Sequence, residues 1–241
     1  MALIDDVKIV CDRLALHGWG ELMAAHGLDL SSADLGAEFA RPLPGIDRNL
    51  PGFEDFALEG RRGIEPGIPA RSLLFHAFAS PNVLTVPGSA GLGAFPTLAE
   101  LDTVENYVYG VQAPSMPELF TFSGGALLAL VAFAHEYRPS IQTPHRRHAD
   151  VCFSRTGIAR VGTAEPLYDG PRRGFLPAVN GQPHQLRVLP ARYAAYLAML
   201  VPGDAATSLP MRFQVSDSES GEKGDQARNF WVPIHKLFPG A

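Results

Sequence analysis

In the first half of the chain, apolar residues return at the spacing of a helix face. Val7, Val10, Leu14, Leu22 and Met23 follow this period behind Asp5 and Asp6, either of which can cap the start. Gly18 and Gly20 flank Trp19 and are expected to bend or break this helix. Pro69 suits a first helical turn, and the segment Ala70 to Phe78 that follows stops ahead of Pro81. Thr97-Leu98-Ala99-Glu100 reads as a capping box, in which Thr97 accepts from the backbone and Glu100 reaches back. The helix it opens carries Leu98, Leu101, Val104, Tyr107 and Val108 on one face.

Past Ser123-Gly124-Gly125 the pattern changes. Leu127 to Tyr137 is an apolar run that suits a buried strand or a short helix, and periodicity does not choose between them. Val151 to Val161, Gln185 to Leu189, Met211 to Val215 and Phe230 to Leu237 read as strands, separated by turn clusters such as Asp169-Gly170-Pro171. Ala191 to Leu200, with its alanines and tyrosines, fits a helix, and the polar, Gly-punctuated stretch Asp217 to Arg228 fits an exposed loop.

These elements predict an α+β fold with a helical N-terminal half and a strand-rich C-terminal half. Residues 1–125 form a mainly helical region and 126–241 a β-rich one, and the two can make one integrated domain. Within the helical region, 28–69 is rich in Pro and Gly, as in Arg41-Pro42-Leu43-Pro44-Gly45, and is expected to be a long ordered loop or arm. Its apolar pattern is too sparse for packing on itself, so the chain is expected to form a homo-oligomer or to need a partner domain. The strongly apolar strand Phe230 to Phe238, close to the last residue, suggests a piece cut from a longer protein.

Composition narrows the picture a little. A chain of 241 residues is long enough to bury a sizeable core unaided. The net charge of −5 argues against nucleic acid, which needs clustered cations. The longest apolar run, Ala126 to Ala134, is about half the roughly 20 residues a membrane-spanning helix needs, so no membrane association is expected. Cys11 and Cys152 are the only cysteines, and the acidic start lacks the apolar core of a signal peptide. A cytoplasmic location follows as the expectation.

Four groups of residues carry candidate chemistry. His135, Glu136, His145 and His148 are the metal candidates, since imidazoles with a carboxylate suit zinc, iron or copper. Arg146 and Arg147 oppose a cation there, and the spacing is not that of His-Glu-x-x-His. Arg61, Arg62 and Arg71, and Arg172 with Arg173, sit beside flexible backbone suited to carboxylate or phosphate, although ordinary ion pairing explains them. His76, between Phe75 and Phe78, reads as a core or interface histidine with one ring nitrogen bonded to a backbone carbonyl, rather than a haem ligand or general base. Cys152 follows His148 and Asp150 as a thiolate nucleophile would, yet strand alternation lets it face the core; Cys11 reads the same way.

The phrase Gly157-Ile158-Ala159-Arg160-Val161-Gly162, within residues 156–163, resembles the opening strand of quinoprotein amino-acid oxidases of the lysine ε-oxidase type. The resemblance implies an oxidoreductase acting on amino groups with a cysteine tryptophylquinone made from its own side chains. The phrase lies mid-chain here, and the family's cofactor-forming cysteine and tryptophan have no match, so Cys152 and Trp231 receive no role from it. No cofactor and no catalytic residue is assigned. The leading expectation is a module of an oxidoreductase-like protein. The alternatives are a non-catalytic assembly or binding domain, and a metal-dependent enzyme using the histidine group.

Overall fold

Helices occupy the first half of the chain and antiparallel strands the second, as an α+β fold requires. The computed structural model describes residues 2–85, 92–136, 162–202 and 229–237. The chain divides into two compact units, Met1–Ala113 with Phe133–Ala194 and Phe238–Ala241, and Pro114–Ala132 with Ala195–Leu237.

In the first unit, α1 (Leu3–Leu14) turns Val7, Val10, Cys11 and Leu14 inward. The expected break falls at Ala15–Trp19, a wide π-type turn in which Gly18 takes φ +85°. Only glycine adopts that backbone cheaply, and the turn drives the Trp19 indole into the core. There its N–H donates to the Ala94 carbonyl at 2.8 Å. The indole meets Phe78 and Phe95 edge-on, with ring centres 5.1 and 6.4 Å away. Helix α2 (Gly20–Ala25) follows.

The 28–69 segment is not an arm. It contains α3 (Leu35–Ala40), capped by Asp34, whose carboxylate accepts from the Ala37 amide at 3.0 Å. It also buries Leu28, Leu30, Leu35, Phe39, Leu43, Phe53, Phe56 and Ile64 in the common core. Backbone bonds from Leu43 to Arg61 and from Ile64 to Phe39 fold it back on itself, and those from Leu73 to Arg62 and Leu74 to Gly63 tie it to the next helix. The expectation of a segment unable to pack therefore fails. Its apolar side chains are enough, but their spacing is irregular because loop backbone, not a repeating element, delivers them.

Pro69–Arg71 makes a short 3₁₀ turn, as Pro69 suggested, leading into α4 (Leu73–Ala79). Every residue from Leu73 to Phe78 is buried, which makes α4 the central helix of this unit. Helix α5 (Leu98–Gly110) starts at the capping box read from the sequence, with the Thr97 amide donating to Glu100 at 2.7 Å. Its Leu101, Val104, Tyr107 and Val108 are buried, and Leu98 packs at the margin. Two small hairpins complete the unit: β2 (Tyr168–Asp169) with β3 (Gly174–Phe175), and β4 (Ala178–Val179) with β5 (Gln182–Leu186).

The second unit holds α6 (Met116–Phe122) and most of a sheet of order β1-β6-β7, from β1 (Leu128–Glu136), β6 (Ala191–Pro202) and β7 (Asn229–Leu237). Within the ambiguous run 127–137, Leu128–Glu136 is thus a strand. Ala191 to Leu200 is also a strand, against the helical reading. Its pairing partner lies far along the chain, with Tyr196 opposite Lys236 and Met199 opposite Val232, and such contacts override local preference. The register slips at Leu197/Ala198, beside Pro233, where a residue without an amide hydrogen is tolerated. The expected strands at 151–161 and 211–215 and the loop at 217–228 lie outside the described residues.

Candidate functional site

The metal candidates divide. His135 and Glu136 end strand β1 (Leu128–Glu136). His145 and His148 lie outside the described residues. Among the described residues, no group of three or more His, Cys, Asp or Glu side chains is placed to hold a metal ion. Also among them, no helix is long and apolar enough to cross a membrane.

His76 is the core histidine that its setting implied. Its ring carries the proton on Nε2, because it faces the Gly52 carbonyl at 2.8 Å, and a carbonyl only accepts. Cys11 is buried as well, and burial pushes its thiol up to about 12, which removes the thiolate a nucleophile needs. Cys152 is outside the described residues. Trp231 is half-buried on β7 opposite Leu200.

The arginines take two forms. Arg62 pairs with Glu65 at 3.2 Å and Arg172 with Asp169 at 3.8 Å, the ordinary ion pairing expected of them. Arg173 differs. Its buried guanidinium donates to the Phe78 and Val83 carbonyls at 3.3 and 2.7 Å and also to the Pro171 carbonyl. It also lies over the Trp19 and Phe95 rings. Burial lowers its pKa to about 10, so it remains charged at neutral pH. The sequence marked this residue only as one of a pair beside a turn.

A groove of about 760 Å³ runs between the start of α1, Asp34–Gly36 and the end of α5. Its charged groups already have partners. Asp5 accepts from the Ala2 amide, Lys8 pairs with Asp12, and Asp34 caps α3. Among the described residues, this groove holds no assembled reactive group.

The second unit offers a different feature. Helix α6 is well started, since the Ser115 amide and hydroxyl both donate to Glu118 at 2.7 Å, yet it buries only Leu119. Met116, Phe120 and Phe122 stand exposed on it, Phe122 by 68%. The chain turns through Gly124 and Gly125, both at positive φ, and enters β1; Leu127, just before the strand, and Leu130, on it, are exposed too, Leu130 by 72%. Helices this short are unstable without cover on an apolar face. Among the described strands β1 is an edge, and its run Leu128 to Ala134 contains neither proline nor charge. Native edges are usually blunted by such residues, and the other edge, β7, has Pro233 and Lys236. The sequence showed the apolar run; it gave no sign that one end of it stays exposed.

Of the phrase that resembles the quinoprotein oxidases, residues 162 and 163 are described. A Cβ on Gly162 would come within 2.4 Å of the Arg187 backbone, and the Thr163 amide donates to the Leu186 carbonyl at 2.9 Å. Close packing against β5 is thus reason enough for this glycine. No family model, curated protein or solved structure matches the chain.

Proposed function

We propose that this chain is a binding and assembly module that self-associates through the apolar stretch Met116–Leu130. One observation carries the reading: α6 buries a single side chain while Met116, Phe120 and Phe122 face solvent. Met116 and Phe120 lie one turn apart on α6, and exposed apolar groups placed like this mark a surface that another surface covers. A second copy is the occupant chosen here, because the stretch Leu128 to Ala134 of β1, an edge among the described strands, has neither proline nor charge and can pair with itself across a two-fold axis. The buried Cys11 thiol and the fully partnered groove charges are consistent with a role in binding rather than chemistry.

Substitution of Phe120 and Phe122 by Ser tests the proposal, with light scattering over a concentration series as the readout. The unaltered chain is expected to associate and the variant to weaken association at least about tenfold, since a buried aromatic at an interface centre contributes about 2 kcal/mol or more. An unaltered chain that stays monomeric at every concentration would refute self-association.

A second reading, a module of an oxidoreductase, has the Gly157–Gly162 phrase in its favour. Intact mass and the visible spectrum of the purified chain test it. A mass shifted from the sequence, with absorbance in the visible, supports the quinone chemistry. Elemental analysis of the same sample tests metal binding by His135, Glu136, His145 and His148.

A further inference from the structure

The segment from Ile46 to Gly60 is seated on the helical core by two buried histidines that belong to different helices. His26, at the C-terminal end of α2, is 0% exposed, and His76 of α4 is 5% exposed. The Phe53 ring lies between them, 4.3 Å from the His26 ring and 5.6 Å from that of His76. Phe56 packs on His76 from 5.0 Å. Each imidazole also holds the segment's backbone. His26 accepts the Asp47 amide on Nδ1 at 3.2 Å, and His76 donates from Nε2 to Gly52 at 2.8 Å.

The segment is braced internally by one residue. Arg48 donates to the carbonyls of Ala57 at 2.8 Å, Gly60 at 3.2 Å and Leu58 at 3.3 Å, and its guanidinium lies 5.4 Å from the Phe56 ring centre. Arg48 thus cross-links the segment to itself, while the imidazoles and the Phe53 and Phe56 rings hold it to the core.

We infer that residues 46–60 form an acid-released strap, clamped while His26 and His76 are neutral and freed when they take up protons. At His26 the bonding dictates this; at His76 a second proton leaves the bond from Nε2 to Gly52 in place, and the drive to open is the burial of a charged ring only 5% exposed. Neutral His26 must carry its hydrogen on Nε2, which is buried without a partner among the described residues. A second proton would go to Nδ1, where it would point at the Asp47 amide hydrogen and break the clamp. The groups around the pair divide in sign. Asp47 favours a charged His26, whereas burial, His76 and Arg48 oppose it. Asp55 and Glu54 favour a charged His76, with the Gly52 carbonyl, and burial outweighs them. Both rings are therefore held below their ordinary 6.5 in the clamped state. They regain it on release, so the strap is secure above about pH 6.5 and loosens as the pH falls below that value. Two protons taken up together raise the opening constant by at most about a hundredfold per pH unit.

Amide hydrogen exchange of the full chain, corrected for intrinsic exchange rates, tests the strap between about pH 7.5 and pH 5.5. Protection of amides 47–60 is expected to fall at least tenfold relative to that of α5. In the variant H26Q/H76Q, whose amides do not titrate, that difference is expected to vanish. Equal protection at both pH values, or an undiminished pH effect in the variant, would overturn the inference. Should the variant not fold, imidazole titration of the unaltered chain by NMR decides. Midpoints below 6.5 that coincide with shifts of the strap amides support the strap; ordinary midpoints, or indifferent strap amides, overturn it.

Discussion

The guanidinium of Arg173 lies 4.8 Å from the centre of the Phe95 ring, and it has no carboxylate partner among the described residues. Three backbone carbonyls and two aromatic rings hold this cation instead. It thereby joins the β2–β3 turn to the core built around Trp19 and α4. Arg173 takes φ +48°, unusual for a side-chain-bearing residue, so the surrounding contacts must outweigh some backbone strain. Arg173→Met leaves the carbonyls unsatisfied and is expected to cost about 2–4 kcal/mol, while Arg173→Lys, which cannot span the same acceptors, recovers only part. Chemical denaturation measures both. A loss below about 0.5 kcal/mol for the Met variant would mean that the cation is idle.

Arg13 grips Glu100 with two bonds of 2.6 Å, and Glu100 also closes the capping box of α5. Burial by itself would raise the Glu100 carboxyl pKa, but the bonds from Arg13 and Thr97 more than offset this and hold it below 4.5. A depressed carboxylate stabilises the fold above its unfolded pKa and ceases to do so as the pH falls through the folded value. Glu100→Gln is expected to lower stability at pH 7 by about 1–2 kcal/mol, a figure discounted for the partial exposure of Arg13. The difference between variant and parent should shrink below about pH 4. A gap that persists in acid would assign the loss to packing.

Cys11 should be inert in the native chain. With its thiol pushed up to about 12, reagents at pH 8 are expected to leave it unmodified until denaturant is added. Peptide mapping after a labelling pulse distinguishes it from Cys152. The folded thiol keeps its proton where the unfolded one has begun to lose it. This group therefore draws stability down above about pH 9. Rapid native labelling at Cys11 would show that α1 opens readily.

Gly52 takes φ +88°, and a Cβ there would come within 2.6 Å of the Asn82 carbonyl carbon and oxygen and the Val83 nitrogen. Gly52→Ala is expected to destabilise by about 2 kcal/mol or more, because backbone on both sides must shift. A thermal melt unchanged from the parent would contradict the close seating of the strap.

Features that depend on neighbours in sequence were legible. The Thr97–Glu100 box, the glycine break around Trp19 and the stop before Pro81 all need only a few residues of context. Long-range features were not. Phe39, Phe53, Phe56 and Ile64 follow no period, so a segment that contributes heavily to the core looked like an arm. Ala191–Pro202 has helix-compatible residues, and only its pairing with β7 makes it a strand. His26 follows a helix end, where no periodicity singles it out, and its importance appears only once Phe53 and His76 are seen beside it. The exposed apolar stretch on α6 is likewise invisible in sequence, since burial and exposure of Leu and Phe look the same there.

Hydroxyl-radical footprinting of the chain at low and high concentration tests the central proposal most directly. It reports side by side on Met116, Phe120, Phe122, Leu127 and Leu130, exposed here, and on Leu119, buried here. Self-association through this stretch predicts that oxidation of Phe120, Phe122 and Leu130 falls severalfold on concentration, while the reactivity of Ile9 and Leu58, exposed in the first unit, stays constant. Unchanged reactivity of the three residues in a chain that associates would place the interface elsewhere and contradict the account.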